Sequence, residues 1–403
     1  MKSIFRAAPA FVWLALLSVG CDRDPVDNDP FEPRDSVTLA VLGHGIIDDR
    51  YTAEVAAEGS WVYTTTWSFR TAPGNALFIW DGSGNTPILR DSVILDFATT
   101  LGDVQISDDG DLLVVATERN NGSIVIFDRS DPAAPVQLAR HTSDNTENGV
   151  HTVKLGHVDN RHFAFLSVNP GGLMSSQLVI VEITDPSNPV EILVRPMGLP
   201  FIHDVFVRDG LLFTALWDTG MTIWDIGGGA RGGTPENPVE ISTILTKNGN
   251  VHNIWWFHDP SSGSKRYVFV GEEGPGVTGS GSSGDIHVVD ISDITNPREV
   301  AFYTLAGAGT HNFVMDEDAG ILYAAYYNGG VRALDVRGDL GTCSDAARAS
   351  DGRCDLGLAG RVAGVALSDQ TVSIWGVALS GNTLYASDML SGLFGLNVAA
   401  LAQ

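Results

Sequence analysis

The sequence predicts an all-β chain: a single seven-bladed β-propeller with four antiparallel strands per blade, the ring closed by an N-terminal strand. Three observations predict it. A strongly β-prone run, reached through a short strand and a Gly or Asp turn, recurs seven times. Its aligned first positions are Ala53, Gly102, His151, His203, His252, His311 and Trp375, with gaps of 49, 49, 52, 49, 59 and 64 residues. A second element, a β-branched run ending in an acid and then a Pro-bounded turn, follows in most copies. A period near 50 built from short strands is the mark of a propeller blade. The third observation lies at the ends. The last copy supplies strands near 371–379, 383–389 and 392–399 but lacks an outer one, whereas an extra β run, Ser36 to Leu42, precedes the first.

Each element follows from local chemistry. Val, Ile, Phe, Tyr and Trp alternate within the runs, and no long segment of helical period competes. In QLVIVEITDPSNPVEIL (177–193) a strand meets an acid, a Pro-bounded turn and another strand. The acid and second Pro are seven apart in three copies: Asp128 to Pro135, Glu182 to Pro189 and Asp290 to Pro297. Asp81 to Pro87 is six, and Asp225 to Pro238 is thirteen because of a Gly-rich insertion. The LVIV of residues 178–181 with the TDPSNP after it resembles the LVIVD-repeat family of exported bacterial propellers. The resemblance covers about residues 37–400 and implies the fold and export, with little about activity.

Residues 1–20 read as a signal peptide, with Lys2 and Arg6 before a short apolar stretch, Ala7 to Val19. The sequence LSVGC ending at Cys21 resembles a bacterial lipobox, although Ser18 stands where Leu is usual, and makes Cys21 the expected lipidation site. Residues 21–35 form an acidic, Pro-rich tether and 36–403 the propeller. The expected address is the bacterial envelope, with the chain lipid-anchored on the periplasmic or cell-surface side. Cys343 and Cys354 bracket a polar loop inserted in blade 6, and a local disulfide is the expected state.

The chain has 403 residues, with 24 Lys and Arg against 49 Asp and Glu. Its formal charge of −25 becomes −27 once Lys2 and Arg6 are removed, and no basic cluster appears. That balance excludes nucleic acid as a partner and leaves the lipid as the only membrane attachment.

The start of each inner strand and the loops between second and third strands share one face, called the top. Four successive blades place His there: His151, His203, His252 and His311. Imidazoles converging on a channel mouth are candidate ligands for a divalent transition metal, with Glu272 beside them. A repeated structural His, bonded to neighbouring loops, is the competing reading. Trp217, Asp218, Glu118 and Asp388 are candidates for a ligand-binding face; Trp255, Trp256 and Tyr326 could add an aromatic rim, but core packing between blades is the favoured reading of them. His287 reads as a packed side chain of a third strand. No GxSxG, HExxH, phosphate-loop or dinucleotide motif occurs. The functional expectation is a binding module acting through its top face, toward an unknown protein, glycan or small ligand. The alternatives are a metal-dependent oxidase or hydrolase and a purely structural surface protein.

Overall fold

The computed structural model describes residues 35–119, 121–170, 174–274, 282–368 and 371–402. The signal segment and Cys21 lie outside the described residues, as do most of the tether and positions 275–281 of the Gly-rich top loop. Among the described residues no helix is long and apolar enough to cross a membrane.

Seven antiparallel sheets make a seven-bladed β-propeller. Their inner strands are Tyr51–Glu58, Thr100–Ile106, Val150–Val158, Asp204–Arg208, Val251–Trp256, Phe313–Asp316 and Ile374–Ser380. The ring closes as the sequence predicts: Ala40–Ile46 pairs antiparallel with Gly392–Asn397 and becomes the outer strand of blade 7. The predicted run is divided in two. Val37–Thr38 instead runs parallel to Val362–Ala366, on the outside of blade 6.

Seven hydrophobic clusters fill the seven blade-to-blade interfaces. Phe163 and Phe165 of blade 3, for example, pack against Val205 and Trp224 of blade 4. Full burial of one such side chain contributes roughly 1.5–3 kcal/mol, so the ring rests on these interfaces. The repeated turn has a simple cause. Asp131, Asp185 and Asp293 each accept a backbone N–H two residues on, at 3.1, 3.1 and 3.0 Å. Each also offers its carbonyl to the residue three on. The Pro that follows ends the turn and begins the outer strand. In blade 4 the Gly-rich insertion wraps the buried Asp225 carboxylate, which accepts from the N–H groups of Gly227, Gly229, Arg231 and Gly233.

Cys343 and Cys354 are disulfide-bonded, with Cα atoms 5.9 Å apart. Their loop does more than decorate blade 6. Cys354–Asp355 pairs in parallel with Ala301 and Phe302 and so adds a fifth strand to blade 5. This covers an edge that would otherwise offer unpaired backbone groups.

Candidate functional site

The top of most inner strands carries a β-bulge. Pairing with the second strand skips a residue between Leu101 and Asp103, Val150 and Thr152, Val251 and Asn253, and Ile374 and Gly376. The skipped residues are Gly102, His151, His252 and Trp375. A bulge re-aims the side chain of its extra residue, and here it directs that side chain into the channel mouth. His203 and His311 sit just ahead of their strands, each donating its backbone N–H, to Ala215 O and Ala325 O, both at 2.8 Å.

The four imidazoles come together. Neighbouring ring centroids lie 4.2 Å apart for His151 and His203, 3.8 Å for His203 and His252, and 4.3 Å for His252 and His311. His151 Nε2 is 2.9 Å from His203 Nε2. The carboxylate beside them is Glu273, not the expected Glu272. Glu273 Oε2 is 3.7 Å from His252 Nε2 and 3.9 Å from His203 Nε2. His203, His252 and Glu273 offer ligand atoms all within 4.8 Å of one another. Glu272, one residue earlier, faces away: it accepts from Thr246 at 2.8 Å and lies 2.8 Å from His287 Nε2. Successive residues of a strand point to opposite sides, which separates the two.

His151 donates Nδ1–H to Glu118 Oε1 at 2.5 Å, and the Tyr327 hydroxyl donates to Glu273 Oε1 at 2.5 Å. His311 differs from the other three. Its Nδ1 donates to Trp375 O at 2.6 Å, and its ring packs 4.3 Å from the Trp375 ring. Gly102 is required beside this arrangement. A Cβ there would lie 2.2 Å from His151 O and 3.0 Å from Glu118 Cγ.

Burial shapes the charges. It drives the His203 and His252 rings far below their usual pKa and His311 to about 3, so these rings are neutral and carry free lone pairs. Burial also lowers His151, but the Glu118 carboxylate overcomes it and raises the ring. Burial raises Glu273 against the pull of the Tyr327 hydroxyl. One residue further along the inner strands, a second ring of polar groups lines the channel: Glu54, Asp103, Thr152, Asp204, Asn253 and Asn312. Burial holds Glu54 well above the carboxylate range, and burial with the Asp103 charge lifts Asp204 to about 7.

Two spaces meet here. A channel cavity of about 590 Å³ has the His and polar rings in its wall. A mouth pocket of about 360 Å³ sits above, with His151, His203, Glu118 and Glu273 at its floor and Arg119, Asn169, Phe201 and Trp217 around it. Trp217 stacks near His203 at 5.5 Å and meets Phe201 edge to face at 5.6 Å. Of the four residues expected on a ligand face, Glu118 and Trp217 line this pocket. Asp218 is exposed and does not line it. Asp388 is fully buried and accepts from Ser373 N at 2.6 Å and from the Ser391 hydroxyl, so a turn consumes it. The other aromatics take the packing role favoured for them, not a rim. Trp255 and Trp256 come three and four residues after His252, roughly 10–13 Å down the strand, where Trp255 donates to Glu317 at 3.1 Å and Trp256 to Lys265 O at 2.9 Å. Tyr326 is buried in the interface between blades 5 and 6. Sequence reasoning put Glu272 and Glu273 on the same face and chose the wrong one as the candidate ligand; it missed the bulges.

The LVIVD repeat family matches residues 174–194 and 281–304. The chain carries LVIVD repeats. Both LVIVD matches cover the third strand and the Pro-bounded turn of their blades, 3 and 5; the second takes in the whole outer strand and the first its opening residues. The LVIVD signature therefore reports blade architecture, and the His cluster lies outside it, at or just before the starts of inner strands. No curated protein matches the chain.

Proposed function

We propose that this LVIVD-repeat propeller is an exported, lipid-anchored binding module that takes a small ligand at its top mouth. The observation that carries the reading is the 360 Å³ pocket walled by Trp217, Phe201, Arg119 and Asn169 above a floor of His151, His203 and Glu273. A few polar groups converging beneath aromatic walls suit a small molecule with one flat apolar face and one polar edge. Its volume suits a single sugar or organic acid better than a protein surface. Export and anchoring rest on the N-terminal segment, on Cys21 and on the disulfide, which is a bond of oxidising compartments.

Thermal-shift screening of the purified chain against monosaccharides and small organic acids tests the pocket. At least one compound is expected to raise Tm in the wild type and to lose its effect in Trp217→Ala. Hits that are indifferent to Trp217→Ala and Phe201→Ala overturn it. The anchor is tested by the mass of the N-terminal peptide: a diacylated Cys21 is expected, and an unmodified one overturns the assignment.

A metal-dependent oxidase or hydrolase is the second reading. It is favoured by one observation, the grouping of His203, His252 and Glu273 ligand atoms within 4.8 Å.

A further inference from the structure

Among the described residues, both imidazole nitrogens of the buried His252 have no hydrogen-bond partner, while His203 has a backbone contact at His252. His252 is only 1 % exposed. Buried polar atoms are ordinarily paired, and leaving one unpaired costs roughly 1–3 kcal/mol. A structural His bonded to its loops, the competing reading of the repeat, would have its nitrogens occupied. His311 meets that description at Nδ1, through Trp375 O; His252 does not.

We propose that His151, His203, His252 and Glu273 bind one divalent first-row transition-metal ion at the floor of the mouth pocket. The separations support it. With ligand bonds of about 2.0–2.1 Å, the edges of a tetrahedral site are roughly 3.3–3.4 Å. The observed edges are 2.9 Å (His151 to His203), 3.7 Å (His252 to Glu273) and 3.9 Å (His203 to Glu273). These three of the six edges bracket that value; His203, His252 and Glu273 already lie within 4.8 Å of one another, and His151, outside that grouping, must swing toward His252 and Glu273 to complete the site. Three imidazoles and one carboxylate select ions of the zinc and copper kind over calcium or magnesium, which take all-oxygen shells.

The outer contacts match those of a metal site. Glu118 accepts the Nδ1–H of His151 and orients its Nε2 toward His203 Nε2, 2.9 Å away, where an ion would displace the proton between them. Tyr327 holds the far oxygen of Glu273 and leaves Oε2 free to face His203 and His252. A carboxylate behind a ligating His and a donor behind a ligating carboxylate are the usual orienting shell. The pocket above opens on His151, His203 and Glu273, so an atom of an outside ligand could approach the ion. The centre rests on this floor and stands whether or not the pocket takes an organic ligand.

The test is titration of the chelator-stripped full chain with Zn²⁺ by calorimetry, and with Co²⁺ by visible absorption, with no organic ligand present. One ion per chain is expected, with a cobalt band. His203→Ala and His252→Ala should abolish that binding. Glu118→Gln, nearly isosteric and outside the ligand set, should weaken it by about 10–100-fold and shift the cobalt band, and His157→Ala should leave it unchanged. Wild-type protein that takes up neither ion overturns the proposal. So does retention of one ion at unchanged affinity in the His variants. Should those variants fail to fold, Glu118→Gln and Glu273→Gln decide: unchanged affinity in both overturns it.

Discussion

Ala301 and Cys354 are partners in a parallel strand pair, although one belongs to blade 5 and the other to an insertion of blade 6. The pair is fastened from two sides. The disulfide holds Cys354 to Cys343, and Arg353 reaches over to Glu299 of the blade 5 outer strand while Lys247 meets Asp351 at 2.7 Å. Replacing both cysteines by Ser should lower stability by about 2–3 kcal/mol, the chain-entropy value for a loop of this length. Denaturant unfolding of the two forms measures it. Proteolysis should then cut first between 343 and 354.

His287 gives the molecule a pH-dependent joint in the same place. The ring is fully buried, with Nδ1 2.5 Å from Glu299 and Nε2 2.8 Å from Glu272. Asp285 and Arg353 also face it. Burial alone would lower its pKa, but Glu272 and Glu299 reverse this and push it up to about 9. The folded value exceeds the unfolded one, near 6.5. The contribution is therefore fully present below about pH 6.5 and is lost as pH rises toward 9, on the order of 3 kcal/mol. Denaturation midpoints from pH 6 to 9.5 should fall in the wild type and fall less in His287→Gln.

Deleting residues 36–46 removes the outer strand of blade 7 and the parallel pairing on blade 6 together. The expected result is loss of a cooperative melting transition, because the ring's two ends are then unjoined. An unchanged Tm would show that closure contributes nothing.

Gly102→Ala should damage the site although Gly102 supplies no ligand atom. The added methyl would meet His151 O and Glu118, and His151 cannot yield without breaking its contact to Glu118. A loss of about 1–3 kcal/mol is expected from overpacking, together with weaker Zn²⁺ uptake. Parallel unfolding and metal titrations of this one variant check both.

What could be read from the sequence was what local chemistry encodes. The Asp131, Asp185 and Asp293 turns use bonds between residues two and three apart, so their spacing survives in the chain as a visible period. The placement of His at one repeat position was legible for the same reason. What was hidden depends on contacts distant in sequence. Glu272 and Glu273 are adjacent acids, and only packing against His287 on one side and Tyr327 on the other assigns them different work. Asp388 looked like a surface acid in a loop until Ser373 and Ser391 were brought to it. The Arg353 contact to Glu299 spans 54 residues and leaves no pattern to read.

The bulges at the tops of the inner strands carry a further consequence. Because the extra residue stands outside the pairing register, exchanging its side chain shifts no other residue from one blade face to the other. Gly102, His151, His252 and Trp375 already occupy that kind of position. His151, His252 and Trp375 are thus sockets on a fixed frame, while the fourth bulge, Gly102, is closed to any side chain by His151 O and Glu118. A sister ring could carry different chemistry at those three addresses and keep its architecture whole.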